Sequence, residues 1–295
     1  MRTRFLIPVG VAAAALAACS STTSSHSDHG STSPITGMSM PGDSSSMPSD
    51  SSSMPSMSMP TGNGLSATVN GYTLTVKQTP MTGMSMPITL AVSKNGEPVT
   101  AFDPEQTKLM HLYLIRSDLS GFQHLHPTMS SDGTWRATPS TLAAGSYRAY
   151  VQFVPHADAK AGALVLSRTF TVPGAASSAP IPAPSNRAAV DGYTVTVAGT
   201  AKAGTETPLT ITINKDGAAV TDLQPYLDTY AHVTAIRAGD LAFAHLHPTG
   251  TAASGGGGPT LTVHADLPEP GKYRTFIQFQ TAGVLHTAAL TITAG

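Results

Sequence analysis

Six of the 11 histidines of this 295-residue chain fall in two copies of one pattern. FQHLHPT begins at Phe122 and FAHLHPT begins at Phe243, and each has a third histidine upstream at the same spacing. The two sets are His111, His124, His126 and His232, His245, His247. Three neutral imidazoles suit Cu(II), Zn(II), Ni(II) or Fe(II) and leave a fourth position for water or another ligand. Such ligands bind as neutral bases, so affinity falls below about pH 6. The bland reading is that these histidines cap a sheet end, with Pro127 and Pro248 ending the strand. A three-membered array present twice favours metal. His156 and His286 do not correspond under the repeat and read as surface histidines. His264 has no counterpart, and His26 and His29 offer supplementary contacts from the tail.

Methionine supplies a second chemistry. Of 12 Met, none follows Met129. Met38, Met40, Met47, Met54, Met57 and Met59 crowd a Ser/Pro-rich tail, and MTGMSMP repeats the word at Met81, Met84 and Met86. Methionine usually fills gaps in cores, but a Ser/Pro tail has no core. Thioethers are soft, carry no proton to lose and select Cu(I). Methionine clusters beside histidine arrays therefore suit a protein that handles both copper oxidation states, with zinc as the other candidate ion. The plainer reading is a low-complexity spacer or an oxidant-absorbing tail. The single cysteine, Cys19, leaves no Cys-x-x-Cys site, and its reading as a lipidated residue, given below, leaves no thiolate for a blue-copper site.

The elements that must position the histidines are strands. NGYTLTV at Asn70 matches DGYTVTV at Asp191, and SYRAYVQF at Ser146 matches KYRTFIQF at Lys272. Apolar residues alternate with period two between turn dipeptides such as Asn95-Gly96 and Asp216-Gly217. The 27 Gly and 23 Pro also favour turn-rich β structure over helices. The expected fold is all-β: two tandem Ig-like or cupredoxin-like antiparallel β-sandwiches, 64–172 and 186–295, joined by a Pro/Ala linker, 173–185. A two-residue type II′ turn at Gly239-Asp240 sets His232 opposite His247, with His245 diagonal to it. The same register sets His111 opposite His126. All three rings of each set then share one face of one hairpin.

The N-terminus reads as targeting. Arg2 and Arg4 precede an apolar stretch, Phe5 to Leu16, that ends in Leu16-Ala17-Ala18-Cys19. LAAC resembles a bacterial lipobox, which makes 1–19 a lipoprotein signal peptide and Cys19 the lipidated residue. Residues 20–63 lack the apolar surface to offset ordering entropy and read as a disordered spacer. Only 11% of the chain is charged, with net charge −1, so no basic face for nucleic acid exists.

The stretch HLYLIRSDLSGFQHLHP, followed by GSYRAYVQF, resembles the secreted YtkA-like/FixH-like domains of bacterial envelope proteins. The resemblance implies an Ig-like sandwich, an association with copper or other heavy metals, and His111, His124, His126, His232, His245 and His247 as ligand positions. The turn acid shifts by one between the copies (Asp118 against Asp240), which weakens a ligand role for it. The expected function is a membrane-anchored, extracytoplasmic copper lipoprotein that sequesters, buffers or transfers the ion, with a copper-handling protein as partner. It is not expected to be an enzyme, because no acid–base partner recurs beside the triads. The alternative is a β-sandwich interaction or envelope module whose histidines are structural.

Overall fold

The computed structural model describes residues 60–250, 252 and 255–295, the side chain of His245 excepted. The leader, Cys19 and most of the tail, including Met54, Met57 and Met59, lie outside the described residues. Ser53–Gly295 forms one compact unit that holds both repeats.

Each repeat builds seven principal strands. In the first they are β1 (Tyr72–Gln78), β2 (Ile88–Lys94), β3 (His111–Arg116), β4 (Gln123–Leu125), β5 (Thr134–Ala137), β6 (Gly145–Pro155) and β7 (Leu164–Val172). In the second they are β8 (Tyr193–Ala198), β9 (Thr207–Lys215), β10 (His232–Arg237), β11 (Phe243–Pro248), β12 (Thr260–Ala265), β13 (Gly271–Thr281) and β14 (Val284–Ala294). All named pairings are antiparallel. In repeat 1 one sheet runs β1-β2-β5 and the other β7-β6-β3-β4. Pro127 parts β4 from Thr128–Met129, which pairs with β5 instead. In repeat 2 Pro248 stays inside β11, which pairs with both β10 and β12, and the order β8-β9-β12-β11-β10-β13-β14 is continuous.

Alternation decides what each face meets. Leu112 and Leu114 of β3 point into the repeat 1 core with Trp135, Val151 and Phe153. Val233 and Ala235 of β10 do the same in repeat 2 with Ile277 and Phe279. The alternate residues emerge on the outer face of each sheet, and these faces cover one another. Tyr113, Ile115, Tyr150 and Val165 pack with Ile236, Phe243 and Phe276 in one buried cluster. Phe122 stacks on Phe276 at 3.9 Å between centroids, 6° from parallel. The Tyr150 hydroxyl donates to Leu241 O at 2.5 Å. Strands β3 and β10 are thus buried on both sides, and the leading histidine of each has 0% exposure.

The last residues assigned to the spacer are tied down. Thr61 N donates to Ala163 O at 2.7 Å, and Phe243 N donates to Asn63 O at 2.8 Å. Gly62 has φ +99°, and a Cβ there would lie 2.7 Å from Val165 O, so only glycine lets the segment lie this close. Backbone pairing, which composition does not report, orders 60–63. The linker is exposed, but Asp118 accepts from Ala179 N at 3.1 Å, and Arg116 donates to Ser177 O. Asp118 therefore fastens the linker and its own turn.

Candidate metal centre

The hairpin register sets the site. In repeat 1, Leu112 faces Leu125, Tyr113 faces His124 and Leu114 faces Gln123. In repeat 2, Val233 faces Leu246 and Thr234 faces His245. These registers are those expected from a hairpin centred on Gly239-Asp240 and its equivalent in repeat 1, but the turns are not two-residue turns. Leu241 N donates to Arg237 O at 3.1 Å and Arg237 N to Ala242 O at 2.8 Å. Leu241 takes φ +66° and its counterpart Leu119 φ +63°. A left-handed leucine costs about 1–2 kcal/mol. The turn acids hold the loop: Asp240 Oδ1 accepts from Ala242 N at 3.0 Å, and Asp118 Oδ1 from Ser120 N at 3.1 Å.

Among the described residues, one group of three donors is close enough to share an ion: His111, His124 and His126. One nitrogen from each lies within 4.8 Å of the others. The ring centroids are 4.7 to 5.2 Å apart. His111 Nδ1 stands 3.0 Å from His124 Nε2. The outer nitrogens are engaged elsewhere. His111 Nε2 lies 3.0 Å from Glu105 O, and His124 Nδ1 lies 2.7 Å from Gln278 Oε1.

These contacts assign the tautomers. A carbonyl oxygen only accepts, so His111 carries its proton on Nε2. With Gln278 Oε1 turned to His124, Nδ1 is the protonated nitrogen there, and the other end of the amide, Nε2, lies 3.4 Å from Thr287 Oγ1. In the neutral rings, the two nitrogens that face each other at 3.0 Å are then both lone-pair atoms. A shared proton or a cation relieves that repulsion. The proton is disfavoured, because burial lowers His111 from the usual imidazole value to about 4. Burial likewise lowers His126 to about 4, helped by neighbouring His111 and Lys108. His126 Nε2 is itself buried with no hydrogen-bond partner. Converging lone pairs, an orphaned imidazole nitrogen and outer N–H groups anchored to oxygen atoms are what a histidine-ligated ion requires. The residues fit the group.

Repeat 2 closes the centre. The ring of His232 lies 4.8 Å from that of His124 and 6.0 Å from that of His111, and the Tyr113 hydroxyl meets His232 Nε2 at 3.1 Å. Tyr226 approaches the rings of His124, His126 and His232 at 6.4 to 6.5 Å. Burial raises the Glu105 carboxyl above its usual range, and its Oε2 has no hydrogen-bond partner.

The other predicted residues are placed as follows. The main chain of His245 lies on β11 opposite Thr234, and its side chain is outside the described set. His247 sits across from His264 on β12, and burial lowers its pKa. His264 pairs with Glu206 at 3.0 Å. His156 is at the surface beside Asp103. His286, expected at the surface, is instead buried: Nδ1 meets Asp191 at 2.8 Å, Nε2 meets Thr281 at 3.1 Å, and the ring packs on Tyr193. Strand alternation turns it inward on β14. Met81 and Met84 are exposed in the loop between β1 and β2, with Met86 half-buried. Met110 packs in the repeat 1 core.

Sequence reasoning missed Glu105, Tyr113, Tyr226 and Gln278. For Gln278 a signal existed: a glutamine recurs in YVQF and FIQF, and the ladder pairs Gln152 with His111 and Gln278 with His232. Glu105 and Tyr226 occupy matching repeat positions with unrelated chemistry, so no repetition marks them.

No curated protein sequence matches the chain. Several solved β-sandwich structures resemble it remotely. Domains 4 and 5 of the S-layer protein SbsC align at 11% identity and TM-score 0.22, covering 76% of this chain and 96% of that one. The fibronectin(III)-like modules of Clostridium thermocellum CbhA align at 10% identity and TM-score 0.20, with 75% and 93% covered. The D00-D0 domain of Intimin aligns at 13% identity and TM-score 0.23, with 76% and 99% covered. Residues 67–169 and 188–295 each match one family, described as Domain of unknown function (DUF8832). The chain belongs to that family and carries its domain twice in tandem.

Proposed function

We propose that the protein is a transition-metal-binding module of the bacterial envelope, with copper the foremost candidate ion. His111, His124 and His126 would hold the ion, which supplies a positive charge where three imidazole nitrogens converge. The observation that carries this reading is the 3.0 Å approach of His111 Nδ1 to His124 Nε2, with both outer nitrogens donating to oxygen atoms. The Met81/Met84/Met86 loop and the tail methionines would serve Cu(I), and the histidines Cu(II). The lipobox reading of Cys19 places the protein at the outer face of the cytoplasmic membrane, held by lipid. The resemblance to YtkA-like/FixH-like domains supports the same setting. The role is to hold or pass on an ion rather than to turn over a substrate.

A second reading has its own observation. His111 and His232 are wholly buried and stacked 6.0 Å apart in the interface between the sandwiches. Such rings also serve a module in which they only pack, and the family match speaks for no more than a tandem β-sandwich. Calorimetric titration of the chain from Ser20 with Cu(II), and with Cu(I) under reductant, separates the two. The metal reading expects binding tighter than micromolar and the loss of one Cu(II) equivalent in His124→Ala plus His126→Ala. No binding in that range, or an unchanged stoichiometry, leaves the packing role.

A further inference from the structure

The three proposed ligands come from repeat 1, but one of the two contacts that aim them comes from repeat 2. We propose that Gln278 is a positioning residue for the metal centre: it fixes the tautomer of His124, so the site is assembled only when the two sandwiches dock. This rests on the metal reading for its consequence, though its geometry stands apart.

An isolated neutral imidazole in water favours neither role of its two nitrogens strongly; the hydrogen bond made by one nitrogen sets which carries the proton. For His124 to present a lone pair from Nε2 to the centre, Nδ1 must hold the proton and give it an acceptor. Repeat 1 supplies that service to His111 through Glu105 O. For His124 the acceptor is Gln278 Oε1, 154 residues away in sequence. Gln278 lies on β13, opposite His232 in the ladder, and is 4% exposed. Its Nε2 lies 3.4 Å from Thr287 Oγ1 on β14. The docking that brings it there is firm. It is made by the Phe122–Phe276 stack, the Tyr150–Leu241 hydrogen bond and the contact between Tyr113 and His232. An ion at the centre would in turn hold β3 and β4 in the arrangement that meets repeat 2. Metal affinity and domain docking are therefore linked, and each strengthens the other equally.

The test uses the compact unit Ser53–Gly295 as parent, Gln278→Leu and Gln278→Glu. Two readings are taken: ring-nitrogen NMR shifts of His124 in the metal-free protein, and Zn(II) affinity by competition with a chromophoric chelator. The parent is expected to show His124 protonated on Nδ1. Gln278→Leu removes the acceptor at similar volume, so His124 moves its proton to Nε2 and Zn(II) affinity falls about 10–100-fold, the usual cost of losing such a contact. Gln278→Glu restores an acceptor, keeps the Nδ1–H form and binds Zn(II) at least as tightly as the parent to within a few-fold. A parent with His124 protonated on Nε2 overturns the proposal without any variant. A Leu variant with unchanged tautomer or unchanged affinity overturns it too. If the parent binds neither Zn(II) nor Cu(II), the metal reading fails, and the positioning role is decided by the tautomer comparison alone.

Discussion

Replacing His111 by Phe should remove a specific part of the acid sensitivity of the metal-free fold. His111 is wholly buried, and burial lowers its pKa from 6.5 to about 4. The folded state therefore resists a proton that the unfolded chain accepts. For a group depressed in this way, the contribution to stability is complete above the unfolded value. It is lost progressively as pH falls from about 6.5 towards 4. One pKa unit corresponds to about 1.4 kcal/mol, so protonation of the unfolded state alone costs about 2 kcal/mol between pH 7 and pH 5. His126 acts in the same direction, with a smaller effect because it is partly exposed. Glu105 acts in the opposite direction, since burial raises its carboxyl and the folded state gains relative stability as it protonates. Glu105 is present in parent and variant, whereas removing His111 also relieves its share of the His126 shift, so the difference between the two proteins reports His111 together with that coupling. Urea unfolding in the presence of EDTA at pH 7 and pH 5 is the assay. His111→Phe should lower stability at pH 7, because Glu105 O loses its donor, but its loss from pH 7 to pH 5 should be about 2 kcal/mol smaller than that of the parent. An equal pH dependence in the two proteins would refute the picture of a buried, neutral His111.

Two further outcomes follow from the packing and the loop. Phe276→Ala removes a buried ring stacked on Phe122 between the sandwiches and should cost about 3–5 kcal/mol by urea unfolding; a loss under 1 kcal/mol would mean the domains do not dock through this face. Met81→Ala with Met84→Ala alters two exposed side chains, so it should leave stability and Cu(II) binding unchanged while lowering the Cu(I) equivalents bound under reductant; unchanged Cu(I) stoichiometry would remove these methionines from the copper chemistry.

The strands, the repeat and the hairpin registers were legible because each leaves a local trace. Period-two alternation marks YTLTV and YRAYVQF, and centring the hairpin on Gly239-Asp240 yields the cross-strand partners that the ladders show. The turns were misread because leucine gives no signal for a left-handed conformation: the flanking aspartates and the strands impose it on Leu119 and Leu241. The docking of the two outer faces was only half visible. HLYLI is a continuous apolar run, which is how a strand buried on both sides reads, but the run does not say what covers the second face. For that reason the two histidine sets read as separate open sites, whereas the structure places His232 over the rings of repeat 1. Gln278 and Tyr113 gain their roles only from contacts between distant segments.

The most direct test of the central claim is an anomalous-difference map from crystals of the Ser53–Gly295 unit grown with Cu(II), and in parallel with Zn(II). The account requires a peak about 2.0–2.1 Å from one ring nitrogen of each of His111, His124 and His126. Density confined to surface histidines such as His156, with the three rings left as they stand and no ion among them, would contradict it.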